Sequence, residues 1–219
     1  MPWINHGLDR SAPGLTGQPW GQRDTLGDPL VGAVSLVRLA DYSPASYLLD
    51  RTDLTVQIFD GDSLVAASLE FRPNPEATPG ALHLCGEGLE LLELRLDGEL
   101  LAPDAYQLEP GSLVLLDPPQ RPFRLESLVR IHPETNSSLE GLYVSGGMVT
   151  SQCEAEGFRR ITYHPDRPDL LSRFRVRIEA DRQRCPVLLS NGNGIGAGPL
   201  EDPAAPSCPV RAGRRLGPA

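Results

Sequence analysis

Short runs in which apolar residues occupy every second position dominate this chain, and Gly, Pro or Asp ends each run. Such alternation is typical of β-strands that bury one face. Residues 47–59 and 64–71 form the clearest pair, and Asp60-Gly61-Asp62 between them is typical of a hairpin turn. The pattern predicts a mainly β chain, folded as an antiparallel sandwich or curved sheet. Further runs of the same kind cover residues 82–84, 89–96, 99–101, 113–116, 123–131, 175–179 and 187–190.

One segment carries a helical signal. Residues 167–174 include Pro168, which suits a first helical turn, and Asp169 beside it favours the positive end of a helix. Asp166 is predicted to cap this short helix. Residues 191–196, of sequence N-G-N-G-I-G, imitate a phosphate-binding loop, but no helical signal follows them, and residues 191–194 are a cluster of turn formers. They are therefore predicted to form a turn.

The two ends differ in composition from this β region. Residues 1–32 are polar, aperiodic and rich in Gly and Pro, so they cannot bury enough apolar surface to offset their ordering entropy. They are predicted to be a disordered leader, and residues 33–195 to be the β domain. Residues 196–219 are dominated by Pro, Ala, Gly and Arg and contain no strand signal. We predict that they form a disordered tail or come from a shifted reading frame.

Composition argues against some classes of function. A net charge of −9 argues against a nucleic-acid-binding protein, which normally carries a basic patch. No stretch approaches the roughly 20 apolar residues of a membrane span, and the start lacks the layout of a signal peptide. The cysteines form no C-x-x-C pair, which favours reduced thiols in a cytoplasmic protein. They are Cys85, Cys153, Cys185 and Cys208.

Residues 152–169 read Q-C-E-A-E-G-F-R-R-I-T-Y-H-P-D-R-P-D and concentrate charge in a short stretch. The stretch contains the carboxylate of Glu156 and the paired guanidinium groups of Arg159 and Arg160. We interpret these three side chains as a structural salt-bridge network rather than a catalytic set. Cys153 has no evident histidine partner that would activate it, and we interpret it as a buried, inert thiol.

This stretch closely resembles the signature of bacterial aminopeptidase N, a zinc-dependent exopeptidase. Other segments resemble the N-terminal domain of that family in the same order, and together the resemblance covers residues 34–193. It implies a saddle-like, mainly antiparallel β domain that leans on a thermolysin-like zinc domain. The other matching segments are 37–42, 82–92 with Gly86-Glu87 inside, 133–143 reading P-E-T-N-S-S-L-E-G-L-Y, 178–181 and 186–193.

The resemblance also implies a binding site. By position, Gln152 and Glu154 match the glutamine and glutamate that line the family's pocket for the substrate's N-terminal residue. A carboxylate in a partly desolvated cleft binds a free α-ammonium by a charge-assisted hydrogen bond. The implied activity is the removal of N-terminal residues from peptides. The implied partners are the peptide's N-terminus and a zinc catalytic domain.

The zinc-binding motif of that family has no counterpart in these 219 residues. None of the four histidines begins an H-E-x-x-H motif; they are His6, His83, His132 and His164. No catalytic or metal-binding residue is therefore assigned, and Zn²⁺ is expected only in the full-length family. We expect a truncated aminopeptidase N domain that is inactive alone. The alternatives are a stand-alone binding or scaffold module of the same fold, or a zinc domain supplied by another chain or reading frame.

Overall fold

The computed structural model describes residues 42–200 and the backbone of residues 209–214. The chain divides into residues 1–42 and a compact unit, Ser43–Ala219, and only the second unit is treated below. The leader predicted for residues 1–32 lies outside the described residues. So do residues 201–208 and 215–219 of the predicted tail.

Strands make up nearly all the regular structure of this unit, as the alternating pattern predicts. The turns between them fall where the sequence places Gly and Asp: Gly61 has φ +85°, and Asp97 and Gly98 have φ +52° and +90°. In chain order the strands are β1 (Tyr47–Ile58), β2 (Ser63–Pro73), β3 (Leu82–Cys85), β4 (Glu90–Leu96), β5 (Glu99–Leu100), β6 (Tyr106–Glu109), β7 (Ser112–Leu115), β8 (Phe123–Ile131), β9 (Gly141–Ser145), β10 (Met148–Gln152), β11 (Arg173–Ala180), β12 (Asn193–Ala197) and β13 (Pro209–Arg214).

These strands form three sheets. The largest has the order β12-β13-β11-β1-β2-β8-β4-β5, the second has the order β3-β7-β6, and the third is the hairpin β9-β10. The mainly β prediction is confirmed. Strands β1 and β11 are parallel, from Arg51 opposite Arg173 to Ile58 opposite Ala180, and they are the exception in the predicted mainly antiparallel arrangement. Parallel pairing needs a connection of a dozen residues or more, and the long stretch of chain between these two strands supplies it.

The core lies against one face of the large sheet. Val56, Val65 and Val129 are directly opposite one another on β1, β2 and β8, and all three are buried. Leu84 and Leu113 of the second sheet belong to the same buried cluster. The period-two pattern thus places every second residue of most of these strands in one largely apolar layer, and removal of that layer from water stabilises the fold.

The predicted helix at residues 167–174 is wrong. The chain makes one turn there, in which the Leu170 N–H donates to the Arg167 carbonyl at 3.3 Å, and β11 begins at Arg173. Pairing of β11 with β1 overrides the local helix-start signals, because it aligns Phe174 and Val176 with the buried side of β1. The only helical element of the described residues is a 3₁₀ helix at Gly157–Arg160.

Three further expectations about strands fail. Residues 187–190 are not a strand, and residues 193–194 belong to β12 rather than to a turn. Residues 209–214 form β13, which pairs with both β11 and β12, although no strand was predicted beyond residue 196. Strands β6, β9 and β10 were also missed, since they are short and β9 and β10 border glycine-rich turns.

Candidate functional site

The hairpin β9-β10 positions the first predicted site residue. Gly146 and Gly147, with φ of +57° and +80°, form its turn, and a glycine adopts these angles without the steric cost of a Cβ. Gln152 is the last residue of β10 and lies opposite Gly141 of β9. The hairpin thereby delivers Gln152 to the start of a short connection that leads into the 3₁₀ helix.

Gln152 and Glu154 lie side by side on this connection, and both side chains are exposed. The Gln152 Nε2 donates a hydrogen bond to the Glu154 carbonyl oxygen at 3.2 Å. The connection closes where the Gly157 N–H donates to the Cys153 carbonyl at 3.0 Å. The structure therefore brings together the two residues that the sequence singled out, on one tight turn.

Arg159 of the 3₁₀ helix binds two carboxylates. Its Nε contacts Asp166 at 2.7 Å and its Nη2 contacts Glu156 at 3.0 Å. The first contact is shielded, because the Asp166 side chain is only 9% exposed, whereas that of Glu156 is 66% exposed. The pKa of Arg159 is raised, chiefly by its hydrogen bond to Asp166. Asp166 therefore caps no helix; with φ +45° it turns back to hold the arginine.

Arg160 extends the network to two other parts of the fold. Its Nη2 contacts Glu87 at 2.7 Å and its Nε contacts Glu140 at 3.2 Å. The salt-bridge interpretation of Glu156 and the two arginines is confirmed. Glu87 and Glu140 were missed as partners, although both lie in the segments that carry the family resemblance, residues 82–92 and 133–143.

His164 lies beneath this turn and is 8% exposed. Its backbone pairs with Cys85 of β3, and its ring meets Phe158 edge-on with centroids 4.6 Å apart. The Nδ1 atom accepts a hydrogen bond from the Asp166 N–H at 3.1 Å, while the buried Nε2 has no partner in the described residues. Desolvation lowers the pKa of His164 to about 4, against a smaller raising effect of the Asp166 charge. The ring is therefore neutral at physiological pH.

The nearby thiols are not activated. Burial raises the pKa of Cys85 and of Cys153, with the Asp166 charge raising both further. Since the thiolate is the reactive form, a raised pKa makes a poor nucleophile. This agrees with the interpretation of Cys153 as an inert thiol.

The described residues do not fit a zinc ion. No group of three or more His, Cys, Asp or Glu side chains within them is arranged to hold a metal. The part of the chain that the structure describes also contains no helix long and apolar enough to cross a membrane. The turn presents an exposed amide and an exposed carboxylate to solvent.

The mainly β unit that carries this turn resembles the N-terminal domain of M1 peptidases. Residues 107–204 match the Peptidase M1 N-terminal domain. The chain therefore contains a region similar to this domain. It is 44% identical to the aminopeptidase N of Caulobacter vibrioides over 165 residues, which cover 75% of this chain and 19% of that protein. It is 41% identical to the aminopeptidase N of Escherichia coli over 162 residues, 74% of this chain and 18% of the relative.

The chain thus spans about a fifth of the length of the curated relatives it matches. Among solved structures, it is similar to Legionella pneumophila aminopeptidase A in complex with aspartic acid. The TM-score is 0.74 and the identity 32%, over 81% of this chain and 21% of the other. The M1 zinc metallopeptidase of Deinococcus radiodurans shares the fold, with a TM-score of 0.64 at 14% identity over 78% of this chain and 40% of the other. The expected resemblance to aminopeptidase N is confirmed, and zinc is the metal of the Deinococcus relative.

Proposed function

We propose that this domain forms one edge of the substrate cleft of a zinc aminopeptidase, where Gln152 and Glu154 bind the free α-ammonium of a peptide. One observation carries the proposal. The Glu154 carboxylate has no ion-pair or hydrogen-bond partner among the described residues, whereas Glu156, two residues later, is paired with Arg159. A carboxylate held on an ordered turn without a partner is available to a cationic ligand.

The chemistry of the two side chains suits an ammonium group. A carboxylate forms short, charge-assisted hydrogen bonds with an N⁺–H donor, and they strengthen as the cleft excludes water. The Gln152 amide donates through Nε2 to the Glu154 backbone, and its oxygen can accept a further N–H. Recognition of the chain end would also fix the distance to the first peptide bond, which restricts cleavage to one residue at a time.

The reaction itself requires a second domain. The zinc ion of a catalytic domain would activate the water that hydrolyses the peptide bond. The described residues of this chain take no part in that step; their role is to bind and orient the peptide. We also propose a cytoplasmic location, which the free thiols Cys85, Cys153 and Cys185 support.

A chimeric enzyme tests the proposal. This domain replaces the aligned 165-residue segment of the Caulobacter vibrioides aminopeptidase N, which supplies the zinc domain. Loss of one charge-assisted contact in a desolvated cleft costs about 1.5–3 kcal/mol, so Glu154→Gln should lower kcat/KM for free-amine substrates roughly 10- to 150-fold. N-acetylated substrates lack the ammonium, and their slow turnover should hardly change.

Glu99→Gln is the matched control, since Glu99 is another exposed glutamate, on β5. It should leave kcat/KM for both substrates unchanged. Equal kcat/KM values for Glu154→Gln and the parent chimera on free-amine substrates would show that Glu154 is only a surface carboxylate. That result would favour the stand-alone binding module instead.

A further inference from the structure

The side chains of Gln152 and Glu154 are too exposed to be held by packing, so their backbone must fix where they point. The turn that carries them closes on Gly157, which is buried. A Cβ on Gly157 would lie 2.6 Å from the Gln152 carbonyl oxygen and 3.2 Å from the Gly141 nitrogen. The backbone of the 3₁₀ helix thus rests directly on the last residue of β10 and on the strand beside it.

Space, rather than backbone conformation, requires glycine at this position. The φ of Gly157 lies outside the left-handed region, so alanine could adopt its backbone angles, but real Cβ atoms do not approach another atom to 2.6 Å. The obstructing atoms belong to the backbone and cannot rotate away. An added methyl group must therefore open the Gln152–Gly157 turn and loosen its contact with β9.

Arg159 secures the same turn from its other side. Its guanidinium joins Glu156, which follows the site residues, to the shielded carboxylate of Asp166. Its carbonyl accepts a hydrogen bond from the Glu87 N–H at 2.9 Å, which ties the 3₁₀ helix to the residues after β3. The planar, forked guanidinium can bind both carboxylates at once, which a lysine ammonium of the same charge cannot do in the same geometry.

We propose that Gly157 and Arg159 are positioning residues of the ammonium site: the close approach at Gly157 and the fork of Arg159 hold the turn so that Gln152 and Glu154 face the substrate's N-terminus. This inference rests on the proposed function. Neither residue touches the substrate. Each acts through the backbone that carries the two binding side chains.

The first measurement uses the 219-residue chain. In Gly157→Ala, amide hydrogen exchange of residue 157, whose N–H bonds the Cys153 carbonyl, should accelerate while the amides of β1, β2 and β8 keep their protection. Gly80→Ala is the control, because a Cβ on Gly80 would meet only Ser46 Oγ, at an ordinary 3.5 Å. Unchanged exchange at residue 157 would overturn the inference.

The second measurement uses the chimera described above. Gly157→Ala should raise KM for free-amine substrates about 10- to 100-fold, the scale of a misplacement near 1 Å. Its kcat/KM for N-acetylated substrates should change less than twofold, and Gly80→Ala should change neither. An equal loss on both substrates would mean general damage and would overturn the inference.

If Gly157→Ala does not fold, the Arg159→Lys variant tests the inference, and Arg95→Lys on β4 is its control. Both variants keep the charge. A lysine can keep the shielded contact to Asp166 but then loses the exposed contact to Glu156, so Arg159→Lys should raise KM for free-amine substrates about 2- to 5-fold, and Arg95→Lys should not. If Glu154→Gln has no effect, the proposed function fails. If Glu154→Gln lowers kcat/KM but Gly157→Ala and Arg159→Lys leave KM unchanged, only the positioning role fails.

Discussion

Protonation of His164 should make this domain acid-labile, and His164→Asn should remove that sensitivity. The folded domain keeps the ring neutral because Nε2 is buried without a partner among the described residues and Nδ1 accepts the Asp166 N–H. In the unfolded chain the imidazole regains its ordinary pKa of 6.5, against about 4 in the fold. Between these values the unfolded state binds more protons, so stability is full above about pH 6.5 and falls as the pH drops.

The magnitude follows from the two pKa values. Proton linkage for one group shifted from 6.5 to about 4 gives a loss of about 2 kcal/mol at pH 5 and about 3 kcal/mol at pH 4. A typical domain has a free energy of unfolding of about 5–15 kcal/mol, so this one histidine would account for a large share of the acid sensitivity.

Urea denaturation at a series of pH values measures the effect. Asparagine places an oxygen near the position of Nδ1, so His164→Asn keeps an acceptor for the Asp166 N–H and loses the titrating group. The packing that His164→Asn loses does not depend on pH. It therefore lowers the unfolding free energy of the variant by the same amount at every pH. The informative quantity is therefore the difference in unfolding free energy between the parent and the variant, which should narrow by about 2 kcal/mol from pH 7 to pH 5.

His83→Asn is the control for the substitution itself, because His83 is an exposed histidine of β3. Carboxylates that titrate below pH 5 are common to all three proteins and cancel in the comparison. Parallel stability curves for the parent and His164→Asn between pH 7 and pH 4 would refute the reasoning. They would mean that His164 takes up its proton without destabilising the folded domain.

Two further predictions concern the core and the metal. Leu113 is 0% exposed, so Leu113→Ala should lower the free energy of unfolding by about 2–5 kcal/mol. Leu171 is 80% exposed, so Leu171→Ala should change it by less than about 0.5 kcal/mol. Similar denaturation midpoints for the two variants would place Leu113 outside the core. The purified chain should bind no stoichiometric zinc and hydrolyse no aminoacyl reporter, because the described residues provide no group of three metal ligands; one tightly bound zinc per chain in elemental analysis would contradict this.

The sequence predicts those parts of the fold whose signals are local. Alternation and the Asp60-Gly61-Asp62 turn locate the β1-β2 hairpin, and Phe123–Ile131 is predicted to the residue. Residues 173–174 were assigned to a helix because Pro168 and Asp169 resemble a helix start. Their true state depends on parallel pairing with β1, more than 100 residues earlier in the chain, which no local pattern reports.

In the candidate site, too, the features with a local signal were predictable and those that depend on packing were not. The resemblance singled out Gln152 and Glu154, and a salt-bridge network of Glu156 with Arg159 or Arg160 was predicted, of which the structure shows the Glu156–Arg159 pair. The close approach at Gly157 could not be predicted, because it depends on the packing of the 3₁₀ helix against β9. Asp166 was taken for a helix cap, because its role as the shielded partner of Arg159 arises only when the chain turns back.

The most direct test of the central claim is a structure of the chimera with a free amino acid bound, for which aspartic acid is a suitable ligand because it is present in the Legionella relative. The quantity to measure is the distance from the Glu154 carboxylate to the ligand's α-nitrogen. We predict that this distance is about 2.7–2.9 Å, the length of a charge-assisted hydrogen bond, and that the Gln152 amide also contacts the α-nitrogen. A bound amino acid whose α-nitrogen is held by other groups, with Glu154 facing solvent, would contradict it.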